Sequence, residues 1–206
     1  MFHIHGFRMS FNTTKVLYVA EELGVEYKYT NLDGSKGEHK TPEHLKRSPL
    51  GKAPTLDHDG KTLFESGAIC RYIANVSNSP LYPKDAYQRA VVDQWMDFYT
   101  CHLGRWLGTL VFERVFRAMF GMGKLNPENE KEALGFIEQQ AAVVNAHLGQ
   151  NKYLAGKDLS IADLFAFAYT ETTEKSNYPL DNYPHLKKWY QNMKGLKSVG
   201  NVQKKV

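Results

Sequence analysis

The sequence predicts two domains of different class: a small α/β unit with element order β-α-β-α-β-β-α, then an all-helical bundle. Three observations carry the prediction. Up to Pro80, stretches in which apolar and polar residues alternate take turns with stretches of helical spacing. After Pro83 only helical spacing remains. Finally, 206 residues, 42% hydrophobic and 23% charged, are enough for two small cores and rule out disorder, collagen-like repeats and coiled coil.

The elements follow in order. Residues 2–5 alternate with period two, and Gly6 ends the run. Val16, Leu17, Val19, Ala20 and Leu23 keep helical spacing over 11–23, and Gly24 is a C-terminal stop. Residues 25–29 alternate again, a second strand. Residues 33–40 are polar and carry two glycines, hence a loop; Thr41-Pro42-Glu43 then opens a helix with Pro at its first position. Residues 54–56 and 62–64 flank Asp57-His58-Asp59-Gly60, the pattern of a hairpin. A third helix runs from Ser66 to about Ala74.

Beyond the prolines, Val92, Trp95, Met96, Tyr99, Leu103, Trp106, Leu107 and Leu110 mark one long amphipathic helix. Pro127 opens the next, with Leu134, Ile137, Ala141, Val144 and Leu148 on its apolar face. Ser160 and Asp163 form a capping box, with Asp for the usual Glu, ahead of the apolar run 164–168. Tyr183-Pro184 opens a last helix. The expected division is 1–78 for the α/β domain, 79–85 for a linker and 86–206 for the helical domain, without internal repeats.

Composition narrows the function. Twenty-six Lys plus Arg against 22 Asp plus Glu leave +4, scattered rather than clustered, which argues against nucleic acid. Lys204-Lys205 reads as a solvated tail. Cys70 and Cys101 are far apart with no zinc-type spacing, so neither a disulfide framework nor a metal site is expected, and Cys70 within the third helix reads as a buried structural thiol. The N-terminus lacks a signal-peptide pattern and no run is apolar enough to span a membrane, so a cytoplasmic protein is expected.

Three local sequences then point to a family: Leu50-Gly51-Lys52-Ala53-Pro54; Leu63-Phe64-Glu65-Ser66 running into 68–73; and Tyr153-Leu154-Ala155-Gly156 with Leu159-Ser160-Ile161-Ala162-Asp163. Each is weak alone. In this order, on this element pattern and over the whole chain, they make it resemble a cytosolic glutathione S-transferase. The resemblance implies a thioredoxin-like first domain, a cis proline at Pro54 before the third strand, and a homodimer. Gly6-Phe7-Arg8-Met9-Ser10 and Gly37-Glu38-His39-Lys40 are most similar to the phi class. Residues 10–16, with Asn12, also resemble the nu class and its prion-like fungal relatives, and no Tyr begins the first helix as tyrosine-type classes require.

A glutathione enzyme keeps a thiol ionised near neutral pH. Lowering its pKa from about 8.5 by ~2 units takes about 2.7 kcal/mol of preference for the thiolate. Hydroxyl or amide donors at a helix N-terminus supply energy of that order. By the resemblance Ser10 is the thiolate donor, although its position equally suits an N-cap; Asn12 is the rival donor, and Thr13 is read as a surface residue of the helix. Glu65 and Ser66 match the pair holding the γ-glutamyl end, which also suits a helix start. Ala53 would pair its backbone with the cysteinyl residue beside Pro54. His39, Lys40 and Lys52 would meet the glycine carboxylate. On the long helix, Phe112, Phe116 and Phe120, with Trp106 and Met119, would face a hydrophobic electrophile, with Arg105 and Arg8 near an anionic one. Gly104 and Gly108 permit close helix approach in a dimer, or a kink.

The resemblance thus implies conjugation of glutathione, a co-substrate, to soft electrophiles (halogenated aromatics, enones, organic hydroperoxides) in detoxification, without a metal or other cofactor. Two rivals stand beside it: a nu-type glutathione-dependent disulfide reductase, and a non-catalytic binding or regulatory protein of the same fold.

Overall fold

The computed structural model describes residues 1–205. They form two compact units, Met1–Pro83 joined by the segment from Gly195 onward, and Lys84–Lys194. The first unit has β1 (Phe2–Gly6), α1 (Phe11–Glu22), β2 (Tyr27–Asn31), a 3-10 turn at Glu38–Lys40, α2 (Pro42–Arg47), β3 (Thr55–His58), β4 (Lys61–Phe64), α3 (Ser66–Val76) and α11 (Lys197–Lys205). The predicted β-α-β-α-β-β-α order holds, and β2 begins two residues later than its alternation suggests. The four strands are ordered β2-β1-β3-β4, with β1 parallel to β2 and antiparallel to β3. Asp59 and Gly60, both at positive φ, turn the β3–β4 hairpin, which is why Asp-Gly stands there. Ile4, Val16, Leu17, Leu56, Ile69 and Ile73 fill the core, all at most 1% exposed.

The segment after Gly195 departs from the expected 86–206 domain. α11 packs on α1. Asn201 Nδ2 donates to Glu21 Oε1 at 2.9 Å, and Ser198 donates to Glu22. Lys205 Nζ reaches Glu21 Oε2 at 2.7 Å and the Tyr27 hydroxyl at 3.1 Å, so the lysine pair read as a solvated tail is exposed but lies on a docked helix.

The second unit holds α4 (Ala86–Cys101), α5 (Leu103–Val111), a π-helical turn (Phe112–Phe116), α6 (Arg117–Met119), α7 (Pro127–Leu148), α8 (Ile161–Thr170), α9 (Thr172–Lys175) and α10 (Pro184–Lys194). The long helix expected from Val92 to Leu110 is broken at His102 (φ −124, ψ −107). Gly104 makes the break possible: a Cβ there would lie 2.4 Å from the Tyr99 carbonyl oxygen and 2.7 Å from the Tyr169 ring. The glycine therefore serves a kink packed within the unit. The capping box forms as predicted, with Asp163 wholly buried.

Glu113, in the π-helical turn, is 3% exposed. Its oxygens accept from Arg117 Nε and Nη2 at 2.6 and 2.8 Å, Asn129 Nδ2 at 2.9 Å and Asn126 N at 3.0 Å. The Arg117 contact, and after it the Asn donors, hold the carboxyl at about 2 against the opposing effect of burial. A carboxylate with a depressed folded pKa stabilises above its unfolded pKa and stops doing so as pH falls. The melting-temperature gap between the protein and its Glu113→Gln variant is therefore widest above the ordinary value of 4.5 and closes toward about 2. Calorimetry across that range checks it.

Candidate active site

Register gathers the site. Gly6 faces Asn31, His5 faces Thr55, and Thr55 faces Phe64. The loops after β1 and β2, the residues before β3 and the start of α3 therefore leave the sheet at one end, bringing Ser10, His39–Lys40, Ala53–Pro54 and Glu65–Ser66 to a single edge.

Ser10 takes the N-cap position of α1 with extended backbone (φ −85, ψ 119), yet its hydroxyl makes no capping hydrogen bond. Its carbonyl accepts from Thr13 N at 2.9 Å and Thr14 N at 3.0 Å, so the backbone begins the helix and the hydroxyl is left over. Asn12, one turn in, accepts from Lys15 Nζ on Oδ1 at 2.6 Å. Thr13 is fully buried rather than on the surface. Its hydroxyl accepts from Phe7 N at 3.1 Å, and its side chain fills the space a Cβ on Gly6 would need, 2.4 Å away. It fixes the loop carrying Ser10, and its burial keeps the hydroxyl away from a ligand in solvent.

The Ala53–Pro54 bond is cis, as the resemblance implies, and Thr55 begins β3 directly after it. The carbonyl of Lys52 lies 2.9 Å from His44 Nε2 and its N–H donates to Ser48 Oγ at 3.1 Å, anchoring the approach to Ala53. Among the described residues no hydrogen bond involves the N–H or C=O of Ala53. Glu65 precedes α3 at φ +69, ψ 113, a region a residue with a side chain rarely occupies. Its carboxylate is exposed and does not cap the helix, and Ser66 is the first helical residue. The first α3 hydrogen bond runs from Ile69 N to Glu65 O at 3.0 Å, which leaves the N–H groups of Ser66 and its two successors directed out of the helix.

His39 and Lys40 lie on the 3-10 turn. The His39 ring meets Phe7 edge-on at 5.4 Å, and burial, then the charges of Lys40, His44 and Lys52, lower its pKa, leaving a neutral imidazole at pH 7. Lys40 Nζ donates to Leu50 O at 3.3 Å. Gly51, at φ +61, sits beneath this turn, and a Cβ there would come within 2.7 Å of the His39 carbonyl oxygen. Lys52 is exposed beside it. Lys40 and Lys52 give this end of the edge a cationic character, opposite to that of Glu65.

In the helical unit, Phe116 and Phe120 stack at 5.8 Å and 16°, and the Arg117 guanidinium lies over Phe112 at 5.5 Å. Phe112 and Phe116 are half-buried and Phe120 is 63% exposed, so they form an aromatic ridge along the end of that helix. Trp106 turns elsewhere and stacks on Phe136 at 4.4 Å. Cys70 is fully buried, its thiol pushed up to about 12 by burial.

Two clusters are invisible to sequence spacing. Lys15, in α1, is 1% exposed. His3, His5 and Asp57 place ligand-type atoms within 4.8 Å of one another. Asp57, however, already accepts from Arg47 Nε at 2.7 Å on Oδ2 and from Thr62 Oγ1 at 2.9 Å on Oδ1. The guanidinium supplies the positive charge a metal would bring, and the cluster ties α2 to the sheet.

Known proteins resemble this chain in sequence and in fold. Residues 2–75 match the family described as glutathione S-transferase, N-terminal domain, and residues 111–196 its C-terminal domain. The chain is 37% identical to “Probable glutathione S-transferase GSTF2” of Oryza sativa subsp. japonica, over 97% of this chain and 94% of that one. It is 34% identical to glutathione S-transferase 1 of Zea mays, over 98% and 94%. A solved glutathione S-transferase I bound with lactoylglutathione superposes with a TM-score of 0.90 at 33% identity, covering 98% of this chain and 97% of that one. No helix among the described residues is long and apolar enough to cross a membrane. With its two domains matched in sequence and in fold, the chain belongs to the glutathione S-transferase family of enzymes.

Proposed function

We propose that the chain is a phi-like, serine-type glutathione transferase that binds glutathione along the sheet edge and adds its thiolate to soft electrophiles. The observation that carries this reading is the Ser10 hydroxyl, placed at the start of α1 and spending no hydrogen bond on it. A serine hydroxyl is too weak a base to take the thiol proton. It acts as a donor, and with the Asn12 amide and the helix N-terminus lowers the pKa of the bound thiol. The proton leaves to solvent. Sulfur then bonds to the electrophilic carbon as a leaving group such as halide departs with the bonding electrons, and catalysis is otherwise proximity. Glu65 answers the ligand's α-ammonium, and Ser66 with the open N–H groups of α3 answers its α-carboxylate. Ala53 pairs with the cysteinyl backbone, while His39, Lys40 and Lys52 face the glycine carboxylate. Phe112, Phe116 and Phe120 supply apolar surface for the electrophile. The working form is a cytoplasmic homodimer.

Asn12 favours a second reading, a nu-type disulfide reductase, because an amide donor can serve the same sulfur. Titration calorimetry with glutathione, followed by turnover of an aryl halide, an organic hydroperoxide and a small disulfide, tests the two. Aryl-halide turnover supports the transferase, and disulfide turnover alone the reductase. Absence of glutathione binding overturns both and leaves a binding protein of this fold.

One substitution tests the γ-glutamyl end. Ser66→Ala removes a hydroxyl from a carboxylate left without its partner, and glutathione affinity falls by about 1–2 kcal/mol. Unaltered affinity in the same calorimetry would make Ser66 only a helix residue.

A further inference from the structure

We infer that Lys15 is a positioning residue for thiolate binding, holding the carbonyl oxygen of Asn12 so that the amide NH2 faces outward as a donor. The inference rests on the proposed role of the α1 N-terminus and adds a residue to it.

A carboxamide is nearly symmetric in shape but not in charge, with an acceptor on one arm and two N–H donors on the other. At an exposed helix start, an unheld Asn turns either arm outward, and the carbonyl arm repels a thiolate. Lys15 settles the orientation. It lies three residues after Asn12, one turn along α1, and its Nζ stands 2.6 Å from Oδ1. Its Nζ offers N–H donors to that oxygen and, as an ammonium, has no lone pair to offer an NH2 group. The Nζ is also 5.2 Å from the Phe11 ring centroid, which narrows its freedom.

Burial makes the arrangement firm. At 1% exposure, Lys15 is among the largest wholly enclosed side chains of the molecule. It does not itself reach a ligand in solvent, and an amine so enclosed is kept only where polar partners meet it. Asn12 is one such partner, and Glu65 and Cys70 are the titratable groups of the α3 region close enough to act on it. Asn12, by contrast, is only half-buried. Among the described residues its Nδ2 makes no hydrogen bond, and that arm opens to solvent. Nothing in composition or spacing demands a lysine at a core position of α1. Its link to the Asn12 amide beside Ser10 gives it a reason to be there.

The test is a double-substitution cycle read by the ultraviolet absorbance of the thiolate as bound glutathione is titrated. Lys15→Met keeps length and apolar stem but removes the donor; it raises the thiol pKa by about 0.5–1 unit, as does Asn12→Ala. The Lys15→Met/Asn12→Ala double variant goes no higher than Asn12→Ala alone, and Lys15→Arg keeps the low value. An unchanged pKa in Lys15→Met, or effects that add in the double variant, overturns the inference, because Lys15 would then be structural or act only through its charge. A parent protein that leaves the thiol pKa at its free value instead overturns the function proposed above. Should Lys15→Met not fold, the Asn12 side-chain amide resonances of the parent decide: glutathione shifts them if NH2 faces the sulfur, and resonances left in place overturn the inference.

Discussion

In Ser10→Ala/Asn12→Ala, the thiol pKa of bound glutathione rises by about 1–2 units toward that of free glutathione, a loss of up to about 2.7 kcal/mol of thiolate stabilisation, and the helix N-terminus keeps what remains. Each residue brings a donor the fold does not use, the Ser10 hydroxyl because the backbone alone begins α1, and the Asn12 amide because only its oxygen is held. Ser10→Ala alone moves the pKa about halfway, and glutathione affinity measured well below that pKa stays near the parent's. Turnover at fixed pH falls in step with the thiolate fraction, and recovers as pH is raised through the new pKa. That recovery separates a lost donor from a damaged site. An unshifted titration in Ser10→Ala would assign the thiolate to Asn12 alone.

Asp163→Ala costs about 3–5 kcal/mol of stability, the largest effect expected of any single substitution in the chain. The carboxylate is 0% exposed and accepts from Leu154 N at 2.8 Å, Ser160 N at 3.0 Å, Ser160 Oγ at 2.8 Å and Trp189 Nε1 at 3.0 Å. Alanine leaves three buried N–H groups with no protein acceptor. It also releases three places at once: the loop before α8, the α8 start, and the α10 tryptophan packed beneath. Asp163→Asn retains one acceptor oxygen and costs less. Denaturant unfolding reads both, and a cost below about 1 kcal/mol for alanine would mean the loop finds other acceptors.

The sequence showed most of the first unit because its strands and helices carry clean periodicities and each turn has its own chemistry, as Asp59-Gly60 and Thr41-Pro42 do. It also showed which residues could form the site, since strand register brings loop ends together. It did not show burial of single polar side chains. Lys15 and Thr13 follow the helical spacing of α1, and which of them the packed sheet and α3 would enclose depends on neighbours distant in sequence. The strain at Glu65 was equally hidden, because φ is set by the junction of β4 with α3 and not by residue type. In the helical unit, apolar spacing runs through His102 without interruption, so one helix was expected where Gly104 and the Tyr169 ring enforce two. The helix at Lys197–Lys205 was read only as a solvated lysine tail, because its place is set by Glu21 and Glu22, which are far away in sequence.

The return of α11 to α1 has a consequence for the order of events during synthesis. Residues that complete the first unit are translated only after all of Lys84–Lys194. On the ribosome the first unit therefore waits, with one flank of α1 uncovered, while the helical half emerges and folds. A nascent chain halted at Lys194 would hold every proposed ligand-binding residue and still lack the brace on Glu21 and Glu22. Competence to bind glutathione is thus expected late in translation and not when residue 83 appears, which places the control of maturation at the opposite end of the sequence from the site it completes.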